Sequence, residues 1–153
     1  MSEHDSSKPP APEPESSDRG ALFLLLAWAA ATGSSLGSLF FSEVMELPPC
    51  SLCWYQRCFM FPLALVLLVG VLRSDKQSIV YALPLTIGGW LLAAYHILVH
   101  TGIIPESATP CQQGVSCSEV QFELFGFASI PMLSLTSFTG IALLLLLAKR
   151  NNR

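Results

Sequence analysis

The sequence predicts an all-α integral membrane protein, a bundle of four transmembrane helices with both termini in the cytoplasm and two cysteine-bearing outer loops. Hydrophobic residues make up 52% of the 153 residues, and charged residues only 12%, whereas soluble domains carry roughly a quarter charged residues. The mean hydropathy is +0.53. These values exclude an ordinary water-soluble globule. The net charge of −3 and the lack of a basic cluster also argue against a nucleic-acid partner.

Four apolar runs are each long enough to cross a hydrocarbon layer of about 30 Å as a helix. They contain one charged residue, Arg57 in the second run, and one histidine, His96 in the third. The runs are too continuous for barrel strands, in which polar and apolar residues alternate. The predicted spans are residues 20–41, 52–72, 79–99 and 124–148.

The chain divides into a membrane domain and two short flanks. Residues 1–19 are rich in Pro, Ser and acidic side chains, a composition that buries too little apolar surface to fold, and we predict a disordered cytoplasmic tail. A cleaved signal peptide is the alternative interpretation of the N-terminus, with small residues at 27–31. Residues 20–148 form the membrane domain, and residues 149–153 form a basic cytoplasmic C-terminus.

The basic residues predict the orientation of the bundle, because Lys and Arg near helix ends favour the cytoplasmic side. With both termini and the loop between the second and third spans inside, only Arg57 remains on the outer side. The inner side then holds seven of the eight basic residues: Lys8, Arg19, Arg73, Lys76, Lys149, Arg150 and Arg153.

Four of the five cysteines fall in the two outer loops, as Cys50 with Cys53 and Cys111 with Cys117. Paired cysteines outside the cytoplasmic membrane tend to form disulfides. The C-x-x-C spacing of the first pair is typical of a reactive disulfide. A structural crosslink between the loops and a zinc site remain alternatives. The fifth, Cys58, lies in a span and is interpreted as an inert apolar residue.

Arg57 lies four residues after Cys53, and this spacing predicts that both side chains share one face of a helix. A guanidinium at that position favours a thiolate over a thiol. The alternative is an interfacial arginine that reaches lipid headgroups. His96 and His100 are also four residues apart, but no third ligand is evident beside them, and no metal site is predicted.

Small residues recur in the first and third spans, and they predict close packing between helices. They are Gly33, Ser34, Ser35 and Gly37 in the first span and Gly88 with Gly89 in the third.

The run Cys50-Ser51-Leu52-Cys53-Trp54-Tyr55-Gln56-Arg57 resembles the C-x-L-C-x-Y-x-R signature of the DsbB family, the thiol:quinone oxidoreductases of disulfide-bond formation. Four spans, a second outer cysteine pair and Gly126 with Ile130-Pro131 are also similar to that family. The resemblance covers residues 20–148. The close spacing of Cys111 and Cys117 is more similar to the short-loop, BdbC-type members.

The resemblance implies a cytoplasmic-membrane enzyme that reoxidises a soluble, DsbA-like thiol oxidase of the thioredoxin fold outside the membrane. The electrons would pass to quinone, either ubiquinone or menaquinone, in the membrane pool. It implies that the partner attacks Cys111 and that Cys117 exchanges with the first pair through a Cys50–Cys117 disulfide. Cys53 is then the thiolate that faces the quinone.

The resemblance further implies that Arg57 supports the binding and activation of quinone, and His96 is a candidate for the edge of the same pocket. A glutamine, Gln56, stands beside Arg57 where some relatives have an acid.

Two rival functions remain open at this stage. The first is a quinone-linked enzyme of the vitamin K epoxide reductase type, in which the C-x-x-C pair normally follows the loop pair, the reverse of the order here. The second is a structural or metal-binding tetraspan protein whose cysteines crosslink loops or bind zinc.

Overall fold

The computed structural model describes residues 14–105 and 129–151, and every regular element within these ranges is an α-helix. All four helices are long and apolar enough to cross a membrane by length and composition. The all-α, four-span architecture predicted from the sequence is therefore confirmed. The helices are α1 (Pro14–Glu43), α2 (Ser51–Arg73), α3 (Ser78–His100) and α4 (Ile130–Asn151).

The helices form a four-sided bundle. Helix α1 packs against α2 and α4, and α3 packs against the same two neighbours, whereas the diagonal pairs barely touch. Short connections make α1, α2 and α3 antiparallel in turn. These connections bring together the end of α1, the start of α2 and the end of α3. The start of α4 lies with them, because Ile130 and Leu133 line one cavity with Ser38 and Cys53. We call this end of the bundle the cysteine end.

The core of the bundle comes from apolar residues at helical spacing. In α2, Leu63 and Leu67 are fully buried, and in α4 Phe138, Ile141 and Leu145 are fully buried. Residues three or four apart lie on one face of a helix, so each helix turns a single stripe inward. This core extends from the middle of the bundle to the end opposite the cysteine end, where it includes Leu24, Ile79 and Ala148.

The glycines of α1 and α3 differ in how closely other side chains pack against them. A Cβ added to Gly89 would collide with the Phe138 ring, and one added to Gly88 would collide with the Phe59 ring. Close packing is confirmed there, since α3 meets both neighbours at these glycines. An added Cβ at Gly33 or Gly37 would meet no atom of the described residues within 4 Å. Within the described part of the chain, close packing is therefore found at the glycines of α3 and not at these two of α1.

Every helix boundary differs from the predicted span, and the differences are largest at the start of α1 and in α4. Helix α1 begins at Pro14, within residues 1–19, for which a disordered tail is predicted. Proline suits a first helical position, where its missing N–H has no intrahelical acceptor, and extending an existing helix is cheaper than starting one. Helix α4 runs to Asn151, three residues beyond the predicted span. Residues 1–13, 106–128 and 152–153 lie outside the described ranges.

Candidate active site

The first cysteine pair lies where an extended segment enters α2. Two prolines, Pro48 and Pro49, precede Cys50, which has φ −71° and ψ 168° and caps the helix. The Trp54 N–H donates a hydrogen bond of 3.2 Å to the Cys50 carbonyl and starts the helical ladder. Cys53 follows within the first turn, and its Sγ lies 3.1 Å from the Cys50 Sγ. Both are free thiols at a distance from which a disulfide can close.

A buried histidine of α3 lies behind this pair. The His96 Nε2 is 3.7 Å from the Cys50 Sγ, and its Nδ1 is 3.2 Å from the Gln56 Nε2. His96 is 2% exposed, and Cys50 is 1% exposed. Leu52 and Val99 are buried with Cys50 in a small apolar cluster. Cys50 therefore faces the contact between α2 and α3.

The surroundings of Cys50 favour its ionised form. The hydrogen bond with Cys53 is the largest cause, and it lowers the pKa of the Cys50 thiol well below its ordinary value. Burial opposes this shift, and the hydrogen bond with His96 adds to it. Cys50 also stands at the N-terminus of α2, where the helix dipole favours negative charge. Cys50 is therefore the cysteine of the described pair that is poised as a thiolate.

Arg57 is held between α1 and α2. Its guanidinium donates a hydrogen bond of 2.7 Å to the Ser38 carbonyl, and its Cζ lies 5.4 Å from the centroid of the Trp54 ring. The residue is only 9% exposed. A buried cation at a membrane edge is costly unless it has partners. The carbonyl and the ring supply such partners, so Arg57 does not simply extend to headgroups.

A cavity of about 200 Å³ opens beside these residues at the cysteine end. Cys53, Gln56, Arg57, Met60 and Phe61 line it from α2. Its other walls are mostly apolar, with a row of serines from α1, and come from α1, the segment before Cys50 and α4: Ser34, Ser35, Gly37, Ser38, Phe41, Ser42, Leu47, Pro48, Pro49, Ile130, Leu133, Ser134, Ser137 and Phe138. Apart from Phe41, the α1 residues that line the cavity have small side chains, which leaves room for this space.

The structure brings together four of the residues singled out in the sequence. Cys53 and Arg57 line the same cavity and so share one face of α2, which is what their spacing predicted, while Cys50 and His96 are absent from its described lining. His96 reaches the cavity only through Gln56. Cys58 is exposed on the outer surface of α2. The second pair, Cys111 and Cys117, and also Gly126, lie outside the described residues.

Sequence reasoning missed two contacts of this site. The Gln56–His96 hydrogen bond joins residues 40 positions apart, and the Arg57–Ser38 bond joins residues 19 apart. The only available signals were an amide beside Arg57 and four serines at helical spacing in α1, at positions 34, 35, 38 and 42.

The side chains of Cys50, Cys53 and His96 are also close enough to be considered as a metal site, with ligand atoms within 4.8 Å of one another. Two thiolates on a tetrahedral zinc ion stand ~3.7 Å apart, given Zn–S bonds near 2.3 Å. The sulfurs here are 3.1 Å apart, which suits thiol–disulfide chemistry better. We assign no metal to them.

Comparison with known proteins agrees with this chemistry. The family model described as "Disulfide bond formation protein DsbB" matches residues 19–148. The chain belongs to the DsbB family. The resemblance found in the C-x-L-C-x-Y-x-R run is thereby confirmed, and the chain is a multi-pass membrane oxidoreductase of disulfide-bond formation. The vitamin K epoxide reductase alternative loses its support.

Relatives of this DsbB-family chain have consistent names. It is 48% identical over 122 residues to "Probable disulfide formation protein C 2" of Bacillus cereus, covering 80% of this chain and 87% of the relative. It is 47% identical to a "Probable disulfide formation protein" of Metapseudomonas resinovorans, covering 83% and 89%. It is 38% identical to "Disulfide bond formation protein C" of Bacillus subtilis, covering 84% and 93%. These names confirm the similarity to BdbC-type members. No solved structure matches the chain.

Proposed function

We propose that this chain is a thiol:quinone oxidoreductase of the cytoplasmic membrane. It reoxidises an exported, DsbA-like thiol oxidase of the thioredoxin fold and delivers two electrons to ubiquinone or menaquinone. One observation carries the proposal: the sulfur of a C-x-x-C pair and a buried guanidinium line the same apolar cavity, through Cys53 and Arg57.

The chemistry of the cavity fits a quinone. Its walls are largely apolar, as a flat lipophilic ring requires, and Arg57 supplies a cation for a carbonyl oxygen. The one hydrogen bond that Arg57 donates among the described residues goes to Ser38, and a guanidinium has five N–H donors. A quinone held here would accept the two electrons and two protons released when Cys50 and Cys53 close a disulfide.

The two cysteines of the pair have different neighbours, which supports a division of labour. Cys53 lines the cavity, whereas Cys50 contacts His96 on the side of α3. We assign Cys53 to the quinone and Cys50 to exchange with the second pair. In that exchange the partner's thiolate attacks Cys111, and Cys117 then forms a disulfide with Cys50. Each exchange breaks one S–S bond and forms another, so two electrons move without a free intermediate.

The orientation of the proposed enzyme follows from charge. The end of the bundle opposite the cysteine end carries Arg73 in the last turn of α2 and Lys149 and Arg150 in the last turn of α4. Basic residues near helix ends favour the cytoplasmic side. The cysteine end is therefore assigned to the outer side, where an exported partner reaches it.

The proposal is tested by anaerobic turnover. Purified protein receives a reduced thioredoxin-fold dithiol and a soluble quinone analogue, and the formation of quinol is followed. We expect Cys53→Ser to abolish turnover and Arg57→Ala to weaken it, while Cys58→Ser and Arg73→Ala, which change the same residue types away from the cavity, retain it. If the parent turns over no quinone while its cysteines stay paired, the cysteines are structural crosslinks and the proposal is wrong.

A further inference from the structure

The contact between Gln56 and His96 determines where the proton of the imidazole lies. The Gln56 Nε2 is only a donor, and it lies 3.2 Å from the His96 Nδ1. In the neutral imidazole, the Nδ1 accepts this hydrogen bond and carries no proton. A neutral imidazole has one N–H, so the proton lies on the Nε2. That N–H faces the Cys50 Sγ at 3.7 Å.

We propose that Gln56 and His96 form a relay in which the Gln56 amide fixes the tautomer of His96, so that the Nε2–H donates to the Cys50 sulfur and holds the negative charge there. Gln56 is a positioning residue in this relay, since it acts through the imidazole. The relay rests on the proposed function, because exchange at Cys50 is the step that would use it. It also gives His96 a role at the sulfur, separate from the quinone cavity.

Burial makes this relay effective. His96 is 2% exposed and Gln56 is 7% exposed, so bulk water competes little for their hydrogen bonds. A hydrogen bond is stronger in such surroundings, and an unpaired donor costs more. Gln56 spans the space between the cavity and the ring, since it lines the cavity and bonds to His96.

Few charged or titratable groups act on Cys50. Among the described residues these are Cys53 on α2 and His96 on α3. Arg57, also on α2, acts on Cys53 instead. No charged side chain from the described parts of α1 or α4 contributes to Cys50. A change in the ionisation of the pair after substitution at Gln56 therefore reports on the relay.

The test is a pH titration of the reduced pair without quinone or partner protein. Full-length protein with Cys58, Cys111 and Cys117 replaced by Ser retains only the first pair, and ultraviolet absorbance reports the first thiolate to form. Gln56→Met keeps the length of the side chain but removes the donor. We expect the first ionisation to move upward by about one pH unit, because a hydrogen bond to a charged group is weakened.

Each variant has a control of the same residue type elsewhere. His96→Phe removes the N–H itself and should shift the titration at least as far as Gln56→Met does. With two variants, the relay can still be tested if one of them fails to fold. Gln77→Met, in the exposed loop before α3, and His100→Phe, one turn after His96, should titrate like the parent. If a folded Gln56→Met or His96→Phe protein titrates like the parent, the relay does not exist.

The titration also separates this inference from the proposed function, because it requires no quinone. A shift in Gln56→Met supports the relay whether or not the parent reduces quinone. Quinone reduction by the parent, combined with an unshifted titration in Gln56→Met, would overturn the relay and leave the proposed function intact.

Discussion

The guanidinium of Arg57 donates a 2.7 Å hydrogen bond to the backbone carbonyl of Ser38, which fixes a cation of α2 against α1 at the wall of the cavity. The acceptor belongs to the backbone, so its position depends on the packing of the helices and not on the side chain of Ser38. The planar fork of an arginine can bond to this carbonyl and to a ligand at the same time, whereas a lysine ammonium is a point charge.

We therefore expect Arg57→Lys to impair quinone reduction although the charge is kept. Losing a hydrogen bond to a charged group costs about 1.5–3 kcal/mol, which corresponds to roughly a 10- to 100-fold loss in kcat/KM for the quinone. Steady-state kinetics with varied quinone measure this change. Arg73→Lys, at the opposite end of α2, is the matched control. Parent-like kinetics for Arg57→Lys would show that only the charge is needed.

Filling the cavity should weaken quinone binding without unfolding the protein. Gly37 lines the cavity, and a Cβ there meets no atom of the described residues within 4 Å. The side chain in Gly37→Leu therefore has room to enter the space assigned to the quinone, and we expect the KM for quinone to rise about tenfold or more, as for a loss of about 1.4 kcal/mol. Gly33→Leu, one turn earlier and outside the described lining, should leave the KM unchanged. Equal kinetics for both variants would place the quinone elsewhere.

Close packing around Gly89 of α3 predicts that a larger side chain at this position destabilises the protein. A Cβ in Gly89→Ala collides with the Phe138 ring, which is fully buried. Overpacking of this kind costs about 1–3 kcal/mol, measured as the free energy of unfolding in detergent. Gly33→Ala, with open space around the new methyl group, should instead stabilise the helix by up to about 1 kcal/mol. A Gly89→Ala protein as stable as its parent would contradict the packing described for α3 and α4.

The lowered pKa of Cys50 predicts that the stability of the reduced protein depends on pH. A thiol whose pKa is lower in the folded state stabilises that state fully above the unfolded pKa, near 9.0 for a thiol. This contribution shrinks as the pH falls towards the lowered folded pKa. The difference in unfolding free energy between the parent and Cys50→Ser should therefore decrease from alkaline to acidic pH. The corresponding difference for Cys58→Ser provides the control, and a constant difference for Cys50→Ser would contradict the shift.

The sequence predicted the parts of this protein that depend on local pattern. Apolar runs identify spans because a membrane helix must satisfy its own backbone hydrogen bonds, and the pairing of Cys53 with Arg57 on one face follows from helical spacing. The contacts of Gln56 with His96 and of Arg57 with Ser38 depend on how separate helices rotate and approach one another. Spacing within one helix carries no information about that.

The glycines illustrate the same limit. Gly33, Gly37, Gly88 and Gly89 are equivalent as small residues in a span, and close packing was predicted for all of them. Among the described residues, only the pair in α3 meets aromatic side chains, while Gly37 borders the cavity and no atom lies within 4 Å of a Cβ added to Gly33. Whether a small residue brings helices together or leaves a space is decided by the size of the side chains opposite, on another helix.

The most direct test of quinone reduction at Cys53 is a single-turnover experiment on the isolated protein. Fully reduced protein that retains only Cys50 and Cys53 is mixed anaerobically with a quinone analogue, and quinol and disulfide are counted together. One quinol should form for each disulfide closed, and Cys53→Ser should form neither. Disulfide formation without quinol, or quinol formation that survives Cys53→Ser, would show that the electrons do not pass from this pair to a quinone.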